Sequence, residues 1–292
     1  MAHGKAGAFL LVPNVQELAQ AWNRSGDQVP DRYVRTEETA AHEIIAGRAV
    51  EHTALTDAAR QPWGAQDVKR DITEFFKLPL EAKKAHAQVP GGGVEGYGQA
   101  FVFSETQKLD WADMIYLMIS PRESRDLRFW PAQPPTFRDS VDRYAAETAR
   151  VAALLLRFMA ADLGVAPERL AEQAGDVIGL SPHTDATGMA LLLHVNDVHG
   201  LQIRNDGRWL AVDPLDGAFV VSIGDILEIL SNGRYKSIEH RAVVHPDKDR
   251  ISAAMFHQPC PNTMVSPLPE LVKKDSGRAR FKSMGYMDFM KS

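Results

Sequence analysis

The sequence predicts a mixed α+β protein, with a helical N-terminal half packed on a β-rich core in the C-terminal half. Three observations predict it: a long amphipathic pattern ending at Leu163-Gly164, a change beyond Val177 to short β-branched runs, and turn signals between those runs. Many closely spaced short strands imply an antiparallel barrel or a double-sheet jelly roll.

Along the chain, Val15 to Asn23 is patterned as a short helix, followed by a polar connector through Gln28-Val-Pro-Asp-Arg32. Thr36 to Gln66 has weak periodicity and no clear strand. Asp67 to Phe76 places Val68, Ile72, Phe75 and Phe76 on one helical face, and Pro79 marks a break before a second short helix over Leu80 to Gln88. Gly91, Gly93 and Gly96 fit a dinucleotide-type glycine spacing, but the run follows a helix and leads into an extended segment, Tyr97 to Phe103. It therefore reads as a loop and not as a nucleotide site. Pro134-Pro-Thr136 opens the clearest helix, with Thr136 placed to cap it and Asp139 in its first turn. Phe137, Val141, Tyr144, Thr148, Val151, Leu155 and Phe158 form its expected core stripe. Strands are expected over Met189 to Val195, Gly200 to Ile203, Trp209 to Val212, Ala218 to Ile223, Ser237 to Val244 and Ile251 to Gln258. Asn205-Asp-Gly-Arg208 is a hairpin signal and Ser231-Asn-Gly233 a further turn. The expected division is an N-terminal region, residues 1–135, and a helix plus jelly-roll domain, residues 136–292.

A chain of 292 residues can bury a sizeable core as one catalytic unit. A net charge of −5 carries no basic footprint for nucleic acid or anionic membrane. A single cysteine, Cys260, rules out an intrachain disulfide and points to a reducing compartment. The apolar N-terminal stretch is short and is broken by Pro13, and no run approaches the roughly 20 apolar residues of a membrane span. A cytoplasmic protein with a small-molecule substrate is expected, its oligomeric state open.

The chemistry concentrates at His183, Asp185 and His240. In an extended segment residues i and i+2 share a face, so His183 and Asp185 can offer an imidazole and a carboxylate to one ion. His240, 55 positions after Asp185, can return from a later strand as the third ligand. Two imidazoles and a carboxylate on one face of a metal leave open positions, the arrangement of non-haem Fe(II) oxygenases. Arg250-Ile-Ser252 is a second i, i+2 pair, whose rigid guanidinium and hydroxyl can hold the far carboxylate of a diacid that chelates the metal.

The stretches Gly179-Leu-Ser-Pro-His-Thr-Asp-Ala186, Gly200-Leu-Gln-Ile-Arg204, Gly207-Arg-Trp209, the segment from Gly217 to Arg241 and Arg250-Ile-Ser252 together resemble plant-type 2-oxoglutarate, Fe(II)-dependent dioxygenases of the isopenicillin-N-synthase-like kind. The resemblance is dense from about residue 175 to 265 and weaker from about residue 67. It implies a double-stranded β-helix core, iron held by His183, Asp185 and His240, and the C5 carboxylate of 2-oxoglutarate held by Arg250 and Ser252. It further implies O₂ as oxidant, ascorbate in support, and oxidative decarboxylation to succinate and CO₂. That decarboxylation would be coupled to hydroxylation, demethylation or desaturation of a specialised-metabolite or hormone-like substrate. Phe101, Phe103 and Phe256 are candidates for the substrate pocket.

The family's Arg-x-Asn-x-Tyr-Pro-like strand, whose tyrosine also contacts 2-oxoglutarate, has no counterpart before His183. An N-terminal strand and a Gly-Phe-Phe segment are also missing. Two other readings therefore stay open: a catalytically impaired descendant acting as a binding or regulatory protein, and another cupin-type metalloenzyme, for instance a zinc hydrolase. His194, His199, His245 and His257 read as surface or hydrogen-bonded histidines, Asp225 as a turn former, Trp111 and Trp130 as packing residues.

Overall fold

The computed structural model describes residues 10–25, 30–33, 65–90, 93–99, 102, 104–171, 183–245 and 247–290. They divide into two compact units. The first holds the described residues up to 33 and those from 70 to 140, the second those from 65 to 69 and from 141 onward.

Three helices come first: α1 (Val15–Ser25), α2 (Ala65–Lys77) and α3 (Leu80–Lys84). Asn14 starts α1, its Oδ1 accepting from the Glu17 N–H at 3.1 Å, and the Asp113 carboxylate takes the Val15 and Gln16 N–H groups at 2.8 and 3.0 Å. These bonds satisfy donors that a helix start otherwise leaves orphaned. Helix α3 is shorter than expected because the chain leaves it to pair with the next strand. The Gln88 N–H donates to the Tyr97 carbonyl at 3.1 Å and the Tyr97 N–H to that of His86 at 2.8 Å. Strands β1 (Gly96–Gly98) and β2 (Met114–Tyr116) form an antiparallel pair. In the first unit Phe75 is fully buried, with its ring 6.0 Å from Tyr97 and 5.7 Å from Phe137.

Helix α4 (Phe137–Leu163) begins where the proline pair and Thr136 place it. The Thr136 carbonyl accepts the first helical bond from Ser140 at 2.9 Å, while its hydroxyl donates to Asp71 at 2.9 Å. The buried face departs from the expected stripe. Phe137, Val141, Tyr144 and Thr148 are buried and Val151 and Leu155 pack partly buried against the core, but beyond Thr148 full burial passes to Ala152, Leu156, Ala160 and Leu163, and Phe158 is 60% exposed. Residues 137, 144, 151 and 158 repeat every seven, and a straight α-helix drifts about 20° per heptad against such a repeat. Over three heptads the drift carries Phe158 off the core.

After α5 (Glu168–Ala171) the second unit is built from β3 (Met189–His194), β4 (Leu201–Asn205), β5 (Arg208–Ala211), β6 (Phe219–Ile223), α6 (Asp225–Leu230), β7 (His240–Ala242), β8 (Ser252–His257), β9 (Met264–Val265), α7 (Pro269–Lys274), β10 (Met284–Gly285) and α8 (Tyr286–Phe289). Two three-stranded antiparallel sheets, ordered β6-β3-β8 and β5-β4-β7, are the leaves of the jelly roll. The β4–β5 hairpin turns at Asp206 (φ 49°) and Gly207 (φ 77°), the left-handed pair that Asp-Gly supplies for a type I′ turn. Strand β3 is the centre of its sheet. Met189 and Leu191 join a cluster with Ala152, Leu156 and Ala160 of α4 and with Ile226, Leu227 and Leu230 of α6. Alternation along the strand sends Ala190, Leu192 and His194 to the opposite face. No helix among the described residues is long and apolar enough to cross a membrane.

Candidate metal and cosubstrate site

Two backbone features bring the candidate ligands together. His183 and His240 form an isolated antiparallel bridge, in which the His183 N–H donates to the His240 carbonyl at 3.1 Å and the His240 N–H donates back at 3.0 Å. Residues paired in this way stand opposite one another and project to one face. Their rings lie 4.4 Å apart, centroid to centroid. Asp185, two residues beyond His183, is 5% exposed, and its Oδ1 lies 3.4 Å from His183 Nε2 and 3.8 Å from His240 Nε2. One ligand atom from each residue falls within 4.8 Å of the others, the one such cluster among the described residues.

The protonation pattern suits a cation. His240 Nδ1 is 3.1 Å from the Ile238 carbonyl oxygen, which can only accept, so the proton sits on Nδ1 and Nε2 keeps its lone pair. Burial outweighs the Asp185 carboxylate and, with His183 adding to it, holds His240 below the usual imidazole range, in the neutral form that ligates metals. Both ring nitrogens of His183 are buried without a hydrogen-bond partner. Unpartnered imidazole nitrogens beside a buried carboxylate leave polar groups that a divalent ion would satisfy.

Asp225 turns out to do more than order a turn. Its N–H donates to the Asp185 carbonyl at 2.8 Å and its Oδ2 accepts from the Thr184 hydroxyl at 3.0 Å, so the start of α6 braces the segment that carries His183 and Asp185. It holds the candidate ligand Asp185 through the backbone, which residue type and spacing alone do not reveal.

Arg250 and Ser252 also meet. Arg250 Nη1 donates to Ser252 Oγ at 3.4 Å, while Arg250 Nε and Nη2 are buried and unpartnered. A guanidinium with two unused donor nitrogens matches a carboxylate held in bidentate fashion. The Arg250 stem lies against Gly200, where an added Cβ would come 2.8 Å from Arg250 Cδ. The Val243 N–H donates to the Gly200 carbonyl at 2.8 Å, so the arginine reaches the sheet that carries His240.

Phe256 is buried on β8, on the same face as Ser252 by alternation. Phe101 and Phe103 lie outside the described residues. Of the remaining histidines, His199 Nδ1 is 2.9 Å from Asp213 and His245 Nδ1 accepts from the Asp247 N–H at 3.1 Å, as expected of surface groups. His194 and His257 are instead buried, at 4% and 5% exposure. The available signal was a polar residue closing the apolar run Met189 to Leu193.

Comparison with known proteins agrees with this geometry. The sequence profile of the 2OG-Fe(II) oxygenase superfamily matches residues 153–259, and that of the non-haem dioxygenase in morphine synthesis N-terminal region matches residues 61–133. The 2-oxoglutarate-dependent dioxygenase 11 of Oryza sativa subsp. japonica is 43% identical, covering 100% of this chain and 94% of its own. That match runs over 341 residues, more than the 292 here, so the relative carries stretches with no counterpart in this chain. The oxoglutarate-dependent flavonoid 7-O-demethylase 1 of Ocimum basilicum is 37% identical, covering 100% of this chain and 90% of its own. The crystal structure of JOX2 in complex with 2OG, Fe and JA is 30% identical with a TM-score of 0.81, covering 96% of this chain and 93% of that one. With relatives of this identity along its whole length, the chain belongs to the plant-type 2-oxoglutarate- and Fe(II)-dependent dioxygenases, oxidoreductases that take Fe(II) as cofactor and 2-oxoglutarate and O₂ as cosubstrates.

Proposed function

We propose that His183, Asp185 and His240 hold the Fe(II), that Arg250 and Ser252 grip the C5 carboxylate of 2-oxoglutarate, and that the enzyme hydroxylates, demethylates or desaturates a small specialised-metabolite or hormone-like molecule with release of succinate and CO₂. One observation carries this reading: three ligand atoms within 4.8 Å of one another, accompanied by a buried guanidinium with two unpartnered nitrogens. Iron bound by three protein groups supplies open positions for the keto acid and O₂ and the redox chemistry that activates oxygen. The two imidazoles and the carboxylate would hold the ion, and the hydrogen bond from His240 to Ile238 fixes that ring's tautomer. Arg250 and Ser252 anchor the far end of the keto acid.

Phe256 is read as part of the organic substrate's wall, which its position on the Ser252 face supports. The relatives' names, a flavonoid demethylase and an oxygenase crystallised with JA, support a small metabolite as substrate. The profile matches at 61–133 and 153–259 support a division of the chain near residue 135. The single cysteine supports a reducing, cytoplasmic setting, and the net charge of −5 supports a partner list without nucleic acid or membrane. Protein supplied with Fe(II), ascorbate and 2-oxoglutarate is expected to form succinate even without an organic substrate. His183→Ala is expected to abolish iron binding and Arg250→Ala to abolish keto-acid binding. Folded, iron-loaded protein that forms no succinate with any of a set of small aromatic and hormone-like substrates would overturn the proposal.

A further inference from the structure

Strand β3 closes on His194, a 4% exposed imidazole with neither ring nitrogen hydrogen-bonded. In the antiparallel ladder its partner is Ser252. Directly opposed residues project to one face with Cβ atoms about 4.5–5.5 Å apart, and Ser252 Oγ is the atom that accepts from Arg250 Nη1. Three polar side chains therefore share one patch: a buried imidazole with two unused nitrogens, a half-buried guanidinium whose Nε and Nη2 are buried and unused, and a half-buried hydroxyl. Buried polar atoms are nearly always satisfied, and an unpaired buried charge is the costliest exception.

Burial first, and then the positive charge of Arg250 with smaller contributions from Lys69 and His199, holds the His194 imidazole down to about 4. At neutral pH it is uncharged and has one N–H to give. A water molecule could satisfy such a ring by itself, but no water neutralises the guanidinium beside it. A carboxylate does both, because its two oxygens offer about four lone-pair sites.

We propose that His194 is a further binding residue for the distal carboxylate of the cosubstrate, donating an imidazole N–H beside the Arg250 and Ser252 contacts and favouring dicarboxylic over monocarboxylic keto acids. The assignment rests on the reading of Arg250 and Ser252 given above. It predicts that the loss of His194 is felt at the far end of the ligand and not at the metal.

The test is calorimetric titration of the full chain, loaded with Fe(II) in the absence of oxygen, with 2-oxoglutarate and separately with oxalate, a metal chelator that lacks the distal carboxylate. His194→Leu is expected to raise the dissociation constant for 2-oxoglutarate about tenfold, the effect of one lost hydrogen bond to a charged group, and to leave oxalate binding unchanged. His194→Gln, which restores a donor at similar volume, is expected to recover most of the loss. Wild-type affinity for 2-oxoglutarate in His194→Leu overturns the assignment, and so does an equal loss for both acids, which marks a structural role. If Arg250→Ala also binds 2-oxoglutarate like the wild type, the Arg250 and Ser252 reading has failed and the His194 assignment falls with it. An effect of Arg250→Ala without one of His194→Leu removes His194 alone.

Discussion

A Cβ added to Gly224 would lie 2.7 Å from the carbonyl oxygen of Asp185 and closer still to that of Thr187. Because Asp225 donates to the same Asp185 carbonyl at 2.8 Å, the start of α6 is pressed against the ligand segment with no room for a side chain. Gly224→Ala is expected to lower stability by about 1–3 kcal/mol, the usual cost of overpacking, and to weaken Fe(II) binding as Asp185 is displaced. Denaturant unfolding and metal titration read the two effects separately. Unaltered iron affinity would mean that the close contact does not position Asp185.

Gly200 stands in the same relation to Arg250. A methyl group there would meet Val243 O at 2.7 Å and Arg250 Cδ at 2.8 Å, and the flexible arginine stem yields before the backbone does. Gly200→Ala is expected to raise the Michaelis constant for 2-oxoglutarate about tenfold, since displacing a clamp by a fraction of an ångström is felt strongly. Iron affinity should be preserved. Steady-state kinetics with varied 2-oxoglutarate, alongside metal titration, check the split.

Removing the metal should expose the cost of the ligand cluster. A ligand bound only by the native state stabilises it by about 2.7 kcal/mol at a hundredfold excess over its dissociation constant. Fe(II), or Mn(II) as an inert substitute, should raise the melting temperature of the wild type, and a chelator should reverse the rise. Asp185→Ala should melt at one temperature with or without metal. A metal-dependent rise that survives in this variant would place the ion elsewhere.

Acid should destabilise the metal-free protein in a defined window. Burial pushes the imidazole of His257 down to about 4, and burial together with Arg250 does the same to His194, against an ordinary value of 6.5. Between those values the unfolded chain binds protons that the native state refuses. The stabilisation is thus complete above pH 6.5 and lost as pH falls to 4, by up to roughly 3 kcal/mol for each group. Below pH 4 these two groups add no further slope. Denaturant midpoints measured across the window should fall less steeply for His194→Gln than for the wild type.

The elements that the chain makes legible are those set by local chemistry. The Asp206-Gly207 turn and the proline-led start of α4 follow from backbone preferences within a few residues. The lower part of α4 does not. Val151 and Leu155 of the expected stripe pack partly buried against the core cluster, but Phe158 is exposed and full burial goes to Ala152, Leu156 and Ala160, because the partner surface and helical drift together choose the face. His194 is hidden from the sequence for a related reason: a histidine at a strand end reads as a surface or hydrogen-bonded group until the ladder places it opposite Ser252.

From the sequence alone came the donor set: His183 and Asp185 two residues apart, His240 in a later strand, and Arg250 with Ser252 in another i, i+2 pair. Those identities set which ion and which cosubstrate charge the proposed site would satisfy. The tertiary structure alone decided which of these groups meet. His183 meets His240 through an exchanged pair of backbone hydrogen bonds, and His194 meets Ser252 through the register of β3 with β8. The physical reason is the two-residue period of a strand: slipping either pairing by one position turns the side chain to the opposite face, and that register is set by long-range burial.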